Sequence, residues 1–154
     1  PADEQFRNQP PRAARRDMAL VYFYRGSSSL GCALLIHADE LLQAGRPVQS
    51  VSQGVTGEEH EIGALNNGSY FSTYIWPGKH TLYGTAVGHD ETAYLGVDLE
   101  AGKTYYFKGI FYHATPSGEP GAVIFVSVES AQATHEMAEL PKADPDAGIM
   151  GDCL

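Results

Sequence analysis

The sequence predicts an all-β domain built as a β-sandwich. Its 154 residues are a suitable length for a single domain. The 17 glycines and 9 tyrosines beside one tryptophan favour short strands joined by tight turns. Segments rich in aromatic and β-branched residues recur at spacings of roughly 8–12 residues, which indicates a sandwich or barrel and not βαβ units with helices between the strands.

The first two predicted strands follow a polar arm. Residues 1–17 are polar, contain prolines and show no hydrophobic period, so they predict a disordered arm. Residues 18–25, MALVYFYR, are rich in aromatic and β-branched side chains and predict a buried first strand. Residues 31–38, GCALLIHA, predict the second strand.

A helical turn and a long loop are expected next. Residues 39–45 predict one turn of helix, with Asp39 as its cap and Gly45 as its terminator. Residues 46–59 are polar and contain proline and glycine, which predicts a long loop. Loops of this length in compact domains are usually functional or disordered, so this segment is a candidate for function.

Short strands and turn signals alternate through the second half of the chain. Asn67-Gly68 and Pro77-Gly78 are typical of tight turns. Apolar residues occupy every second position from Ala93 to Leu99, which is the period of a half-buried strand. The predicted strands of this half are 61–65, 69–76, 79–87, 92–99, 103–114 and 122–128.

The end of the chain leaves the strand pattern. Residues 130–140 predict a short helix, and 141–154 have the composition of a flexible tail. The sandwich domain is therefore expected to span 18–140, with about eight strands and a short carboxy-terminal helix.

Four segments, in this order along the chain, resemble one bacterial family. They are LVYFYR at 20–25, IGALNNGSYF at 62–71, PGKHTL at 77–82 and AGKTYYFKG at 101–109. Together they resemble domain-of-unknown-function family 2846, and the likeness covers roughly residues 18–128. The members are mostly small exported proteins and lipoproteins.

This resemblance implies a fold and a location but no reaction. It implies an immunoglobulin-like or PEGA-like antiparallel β-sandwich, in the periplasm or associated with the outer membrane, with a lipid tether upstream. The chain departs from the family in a longer segment at 39–59, and it carries neither signal peptide nor lipid-attachment cysteine. Because it begins at Pro1, we expect an upstream segment to have been removed.

The charge pattern argues against nucleic acid as a partner. The net charge is −9, and the basic cluster of the arm consists of Arg12, Arg15 and Arg16. Phosphate backbones are bound by clustered Lys and Arg, which the rest of the chain lacks. The expected partner is instead an envelope protein or a cell-wall component.

No motif predicts catalysis, a metal site or a cofactor. The chain has no GxSxG motif, and Gly102-Lys103-Thr104 lacks the earlier glycine of a phosphate loop. The histidines form no HxH or HxxxH pair, whereas a zinc site needs three or four converging ligands. They are His37, His60, His80, His89, His113 and His135.

The two cysteines permit one disulfide. Cys32 lies in a predicted strand and Cys153 at the carboxyl end of the sequence, and neither has the spacing of a zinc or redox motif. A bridge across so long a loop stabilises a fold by roughly 4–5 kcal/mol in the chain-entropy model. The alternative is that Cys32 is an inert core thiol.

The alternation of aromatic residues predicts a binding surface. In 103–114, Tyr106, Lys108 and Tyr112 lie on one face of the strand, opposite Tyr105, Phe107 and Phe111. Only one face of each sheet looks into a sandwich core. Exposed aromatics often bind partners, so Tyr74, Tyr106, Lys108 and Tyr112 are the predicted contacts. The alternatives are that the arm or the terminal helix covers this face, or that both faces belong to a thick core.

Two functions from different classes follow. The first is a non-enzymatic envelope module that binds protein or cell-wall material through the aromatic face. The second is a small-ligand carrier, with residues 39–59 acting as a lid over one end of the sandwich.

Overall fold

Two β-sheets pack face to face across an aromatic core. The computed structural model describes residues 15–27, 35–49, 57–86, 91–112 and 122–144. Its elements are β1 (Ala19–Arg25), β2 (Ile36–Gln43), β3 (Arg46–Pro47), β4 (Glu58–Leu65), β5 (Ser69–Ile75), β6 (Gly78–Thr85), β7 (Glu91–Thr92), β8 (Leu95–Leu99), β9 (Thr104–Tyr112), β10 (Ala122–Val128) and α1 (Ser130–Met137). This confirms the predicted all-β sandwich.

The strand order separates the chain into two sheets. Sheet 1 has the order β5-β1-β9-β10-β7. In sheet 2, β4 and β6 flank β2, β8 lies beyond β6, and the short β3 pairs with the end of β2. Most pairs are antiparallel, as expected, but β1 pairs with β9 and β7 with β10 in parallel. A parallel pair needs a long crossover, which here is supplied by the strands of sheet 2.

Phe23 lies at the centre of the core. Its ring centroid is 5.2 Å from that of Phe71, 5.8 Å from that of Phe107 and 5.4 Å from that of Phe125. These rings come from four neighbouring strands of sheet 1 and meet apolar residues of sheet 2, including Leu82. The predicted alternation of β9 is confirmed, because Phe107 lies in this core.

Two glycines let the sheets approach closely. A Cβ atom at Gly84 of β6 would lie 2.3 Å from Val123 Cγ1, and one at Gly63 of β4 would lie 2.5 Å from the ring of Phe71. Side chains of sheet 1 therefore occupy the space that side chains at these positions would need. The two positions require glycine for packing, whereas the turn residue Gly68 has a positive φ of 64°.

The predicted helical turn at 39–45 is wrong. Strand β2 continues through this segment to Gln43, and the chain turns at Ala44 and Gly45, both of which have positive φ. Pairing with β4 and β6 on both edges overrides the local cap signal of Asp39. Its carboxylate accepts a 2.7 Å hydrogen bond from the Thr85 hydroxyl instead of capping a helix.

Other boundaries differ by a few residues. The predicted loop 46–59 contains β3 and the first two residues of β4. The predicted strand 92–99 is interrupted, so that β7 and β8 belong to different sheets. Strand 122–128 is confirmed at both ends. The described chain also continues beyond 140, because the amide of Ala143 donates a 2.7 Å hydrogen bond to the Tyr70 carbonyl.

Several expectations concern parts of the chain outside the described residues. These are most of the arm at 1–17, Cys32 and Cys153 with their disulfide, His89, His113 and the end of the tail. Within the described ranges, no helix has the length and apolarity to cross a membrane.

The core predicts a large stability loss on truncation of Phe23. We expect Phe23→Ala to lower the free energy of unfolding by about 3–5 kcal/mol, because it leaves a cavity among three other rings. Urea unfolding measures this difference. Tyr112→Ala is the control: this aromatic side chain is 52% exposed, and its truncation should change stability by no more than about 0.5 kcal/mol. Equal losses in the two variants would contradict the assigned core.

Candidate functional site

Helix α1 covers part of the outer face of sheet 1. Ala133 and Met137 of the helix, followed by Leu140, pack on Tyr24 and Tyr70. All five are buried, and the two tyrosines have no exposed area. One alternative reading of the aromatic pattern, that the terminal helix covers this face, therefore holds for the end of the sheet around Tyr24.

A single carboxylate links α1 to the sheet. The Tyr24 hydroxyl donates a 2.5 Å hydrogen bond to Glu136 Oε1, and Lys108 Nζ lies 3.3 Å from Oε2. The hydrogen bond from Tyr24 and the charge of Lys108 lower the pKa of Glu136, although partial burial opposes them. Glu136 is therefore an acceptor for both side chains at neutral pH.

The four predicted contact residues share the outer face of sheet 1 but differ in their exposure and partners. Tyr106 stacks on Tyr22 with centroids 5.2 Å apart and is half-buried beside α1, and Lys108 pairs with Glu136. Tyr112 is exposed at the far end of β9. Tyr74 lies on β5, on the other side of Tyr22 from Tyr106, and it also lines a cleft beside the β5–β6 hairpin.

This cleft brings several polar groups together in a concave part of the described chain. It has a volume of about 720 Å³ and lies where the β5–β6 hairpin crosses from sheet 1 to sheet 2. One wall is β5, and the other is formed by β2, β3, β4 and the start of β6. Its lining includes Glu40, His60, Tyr74, Trp76 and His80.

Glu40 and His80 form a buried pair in the wall of the cleft. Glu40 lies on β2 and is 7% exposed, and His80 lies on β6 and is 3% exposed. Glu40 Oε2 is hydrogen bonded to His80 Nδ1. His80 Nε2 donates a 2.7 Å hydrogen bond to the Trp76 carbonyl, because a carbonyl oxygen can only accept.

These two bonds determine how many protons the pair holds. With Nε2 protonated, the contact between Nδ1 and the carboxylate also needs a proton, since two lone pairs would repel. The pair therefore holds one proton between Nδ1 and Oε2, and with that proton its net charge is zero. Burial alone would lower the pKa of His80, but the hydrogen bond and charge of Glu40 outweigh it and raise this pKa above 6.5.

The second carboxylate oxygen of Glu40, Oε1, is left for a further partner. Oε1 makes no hydrogen bond with the described residues. Among those residues, the Tyr83 hydroxyl is the sole fully buried side-chain polar atom that has no hydrogen-bond partner. Glu40 Oε1 also has no partner, so it is not fully buried. Because Glu40 lines the cleft, this oxygen is available there as a hydrogen-bond acceptor.

His60 and Trp76 complete the polar and aromatic parts of the site. His60 is the direct cross-strand partner of Glu40 in the β2–β4 pair, which brings their side chains to one face. Trp76 follows β5 and is 58% exposed, and the Arg15 guanidinium lies 5.8 Å from its ring centroid. The site thus combines an acceptor, two imidazoles and an exposed indole.

The described residues provide no metal site. No group of three His, Cys, Asp or Glu side chains converges within the ranges that the structure describes. His37, the histidine of β2, pairs with Glu61 at 2.5 Å and lies on the opposite face of the strand from Glu40. The Glu40 carboxylate and the neighbouring imidazoles are suited to hydrogen bonding with a ligand.

Sequence reasoning missed Glu40 and His80. The two residues are separated by 40 positions, and only the β2–β6 pairing brings them together. A signal was present: once β2 is read as a strand, Glu40 shares the inward face of Ile36 and Ala38. A carboxylate at an inward position needs a buried partner.

The pair predicts that stability falls as pH rises above the ordinary histidine range. A histidine whose folded pKa is raised stabilises the fold fully below about pH 6.5, and this contribution is lost as pH rises through the raised value. We expect His80→Gln to remove this part of the pH dependence of unfolding and to cost about 3 kcal/mol at pH 6.

Urea unfolding from pH 6 to pH 9 measures both effects. His135→Gln is the matched control, because His135 is exposed on α1 and its variant should retain the wild-type slope. Identical slopes for wild type and His80→Gln would show that the pair does not contribute in this way.

Comparison with known proteins gives no relative. No family model, curated protein or solved structure matches this chain. The resemblance to family 2846 accordingly stays a prediction.

Proposed function

We propose that this domain is a non-enzymatic binding module that holds a small ligand in the cleft beside Trp76. The observation that carries this proposal is the buried Glu40 carboxylate, which presents Oε1 to a cleft of about 720 Å³. Small-molecule sites are typically concave, between roughly 300 and 1,000 Å³, mostly apolar and equipped with a few placed polar groups. The cleft has such a volume and several placed polar groups, and its lining is a mixture of apolar and polar residues.

The position of the cleft supports the carrier hypothesis over the aromatic face. Arg46, Pro47 and Gln49, which belong to the segment 39–59, line the cleft. The segment that distinguishes this chain from the resembled family thus contributes to the same site. Tyr106 and Lys108, in contrast, have partners in α1 and sheet 1.

A second candidate is a protein or cell-wall contact through the uncovered part of the outer face. Tyr112 is 52% exposed, and the neighbouring Ile110 and Ile124 are only partly buried. A partner in the bacterial envelope, with an upstream lipid tether, is supported by the family resemblance alone.

Ligand binding in the cleft is testable with the single tryptophan. A thermal-shift screen against metabolites, sugars and metal ions should yield a compound that raises Tm, since a ligand at about 100 times its Kd stabilises the fold by about 2.7 kcal/mol. The same compound should change Trp76 fluorescence saturably. A screen in which no compound alters Tm or Trp76 fluorescence would contradict the proposal.

The outer-face contact has a separate test. Tyr112→Ser should abolish crosslinking to envelope material if this face binds a partner, whereas Tyr94→Ser should not. Tyr94 is 48% exposed on the other side of the domain, where its ring meets Tyr83. Unchanged crosslinking by Tyr112→Ser would contradict the second candidate.

A further inference from the structure

The cleft is lined by a mixture of apolar and polar residues. Most of these side chains lie on strands of the sandwich, and Trp76 and Pro77 lie in the turn between β5 and β6. The apolar lining comprises Met18, Leu42, Ile62, Ile75 and Pro77, and the polar lining includes Glu40, His60, Thr73 and His80. Such a mixture suits a molecule that is itself amphipathic.

The charge of the inner wall is balanced. Glu40 and His80 carry no net charge as a pair. A cationic ligand would be repelled by the imidazolium, and an anionic ligand would be repelled by the carboxylate. The other charged lining residues, Glu61, Arg46 and Lys79, are exposed and lie at the mouth of the cleft, where Glu61 also pairs with His37. The inner wall therefore favours a neutral ligand.

The unpaired acceptor Glu40 Oε1 favours a ligand that carries a hydrogen-bond donor. Oε1 of Glu40 accepts only, and a hydroxyl group satisfies it at little cost because hydrogen bonds to charged groups are the stronger class. His60 lies directly across from Glu40 and offers a second polar contact. Arg46 and Lys79, both exposed, contribute donors at the mouth.

The exposed indole supplies a flat apolar platform. Trp76 lines the cleft and is 58% exposed, in a protein that contains a single tryptophan. Large exposed aromatics commonly mark binding sites. An indole face packs against the C–H face of a pyranose ring while the ring hydroxyls point to polar groups, which here lie on the opposite strands.

We infer that the ligand is a neutral saccharide of one to three rings, held with hydroxyl groups at Glu40 and His60 and with one ring face on the Trp76 indole. This inference rests on the proposed binding function and names its ligand class. It accounts together for the balanced charge, the open acceptor and the exposed tryptophan.

The test is a fluorescence titration of the full chain at pH 7. The saccharide probes are N,N′-diacetylchitobiose, cellobiose and maltotriose, and the charged comparison probes are glutamate and choline. We expect at least one saccharide to change Trp76 emission saturably, with no response to glutamate or choline. Isothermal titration of the responding saccharide then measures Kd for the variants.

The variants separate the site from the rest of the surface. Trp76→Ala and Glu40→Gln should each weaken saccharide binding at least tenfold, and Tyr112→Ser should leave Kd unchanged. Trp76→Ala truncates an exposed side chain, so it keeps the test valid if Glu40→Gln unfolds the domain. Unaltered affinity in Trp76→Ala would overturn the inference.

The remaining outcomes distinguish this inference from the proposed function. If glutamate or choline binds and no saccharide does, the saccharide class is wrong while a ligand site in the cleft stands. If neither these probes nor the wider screen produces a response, both the ligand class and the binding function are wrong.

Discussion

Strand β1 is buried on both faces, and the rest of the architecture is arranged around this constraint. Phe23 points into the sandwich and contacts the rings of Phe71, Phe107 and Phe125. Tyr24 points the other way, under α1. A strand with two apolar faces must lie inside its sheet and be covered twice. Sheet 2 covers the inner face of β1, and the terminal helix covers part of its outer face.

The same packing leaves one end of the domain open. Small residues such as Gly84 bring the sheets close where the phenylalanine rings cluster. At the β5–β6 hairpin the inward positions are filled by Glu40 and His80 instead of by apolar rings. A buried pair of this kind contributes little net stability compared with apolar packing, although breaking it is costly. The proposed ligand site would give this pair a role beyond folding.

Some elements of this fold follow from local sequence, and others depend on distant contacts. Strand 122–128 and the alternation of β9 were predictable because apolar periodicity is a local property. The 39–45 segment was not, because its Asp and Gly signals are local while its two strand partners are distant in sequence. The aromatic pattern was read correctly as two-faced, but no local signal shows that α1 folds back over Tyr24 and Tyr70.

The sequence by itself determined the all-β class, most of the strands and the two-faced alternation of β9. These follow from composition, turn residues and the two-residue period of a strand. The tertiary structure alone decided which strands pair, which part of the aromatic face stays exposed, and that Glu40 meets His80 at the cleft. Pairing joins residues far apart in the chain, and its energy comes from packing and hydrogen bonds that no short stretch of sequence contains.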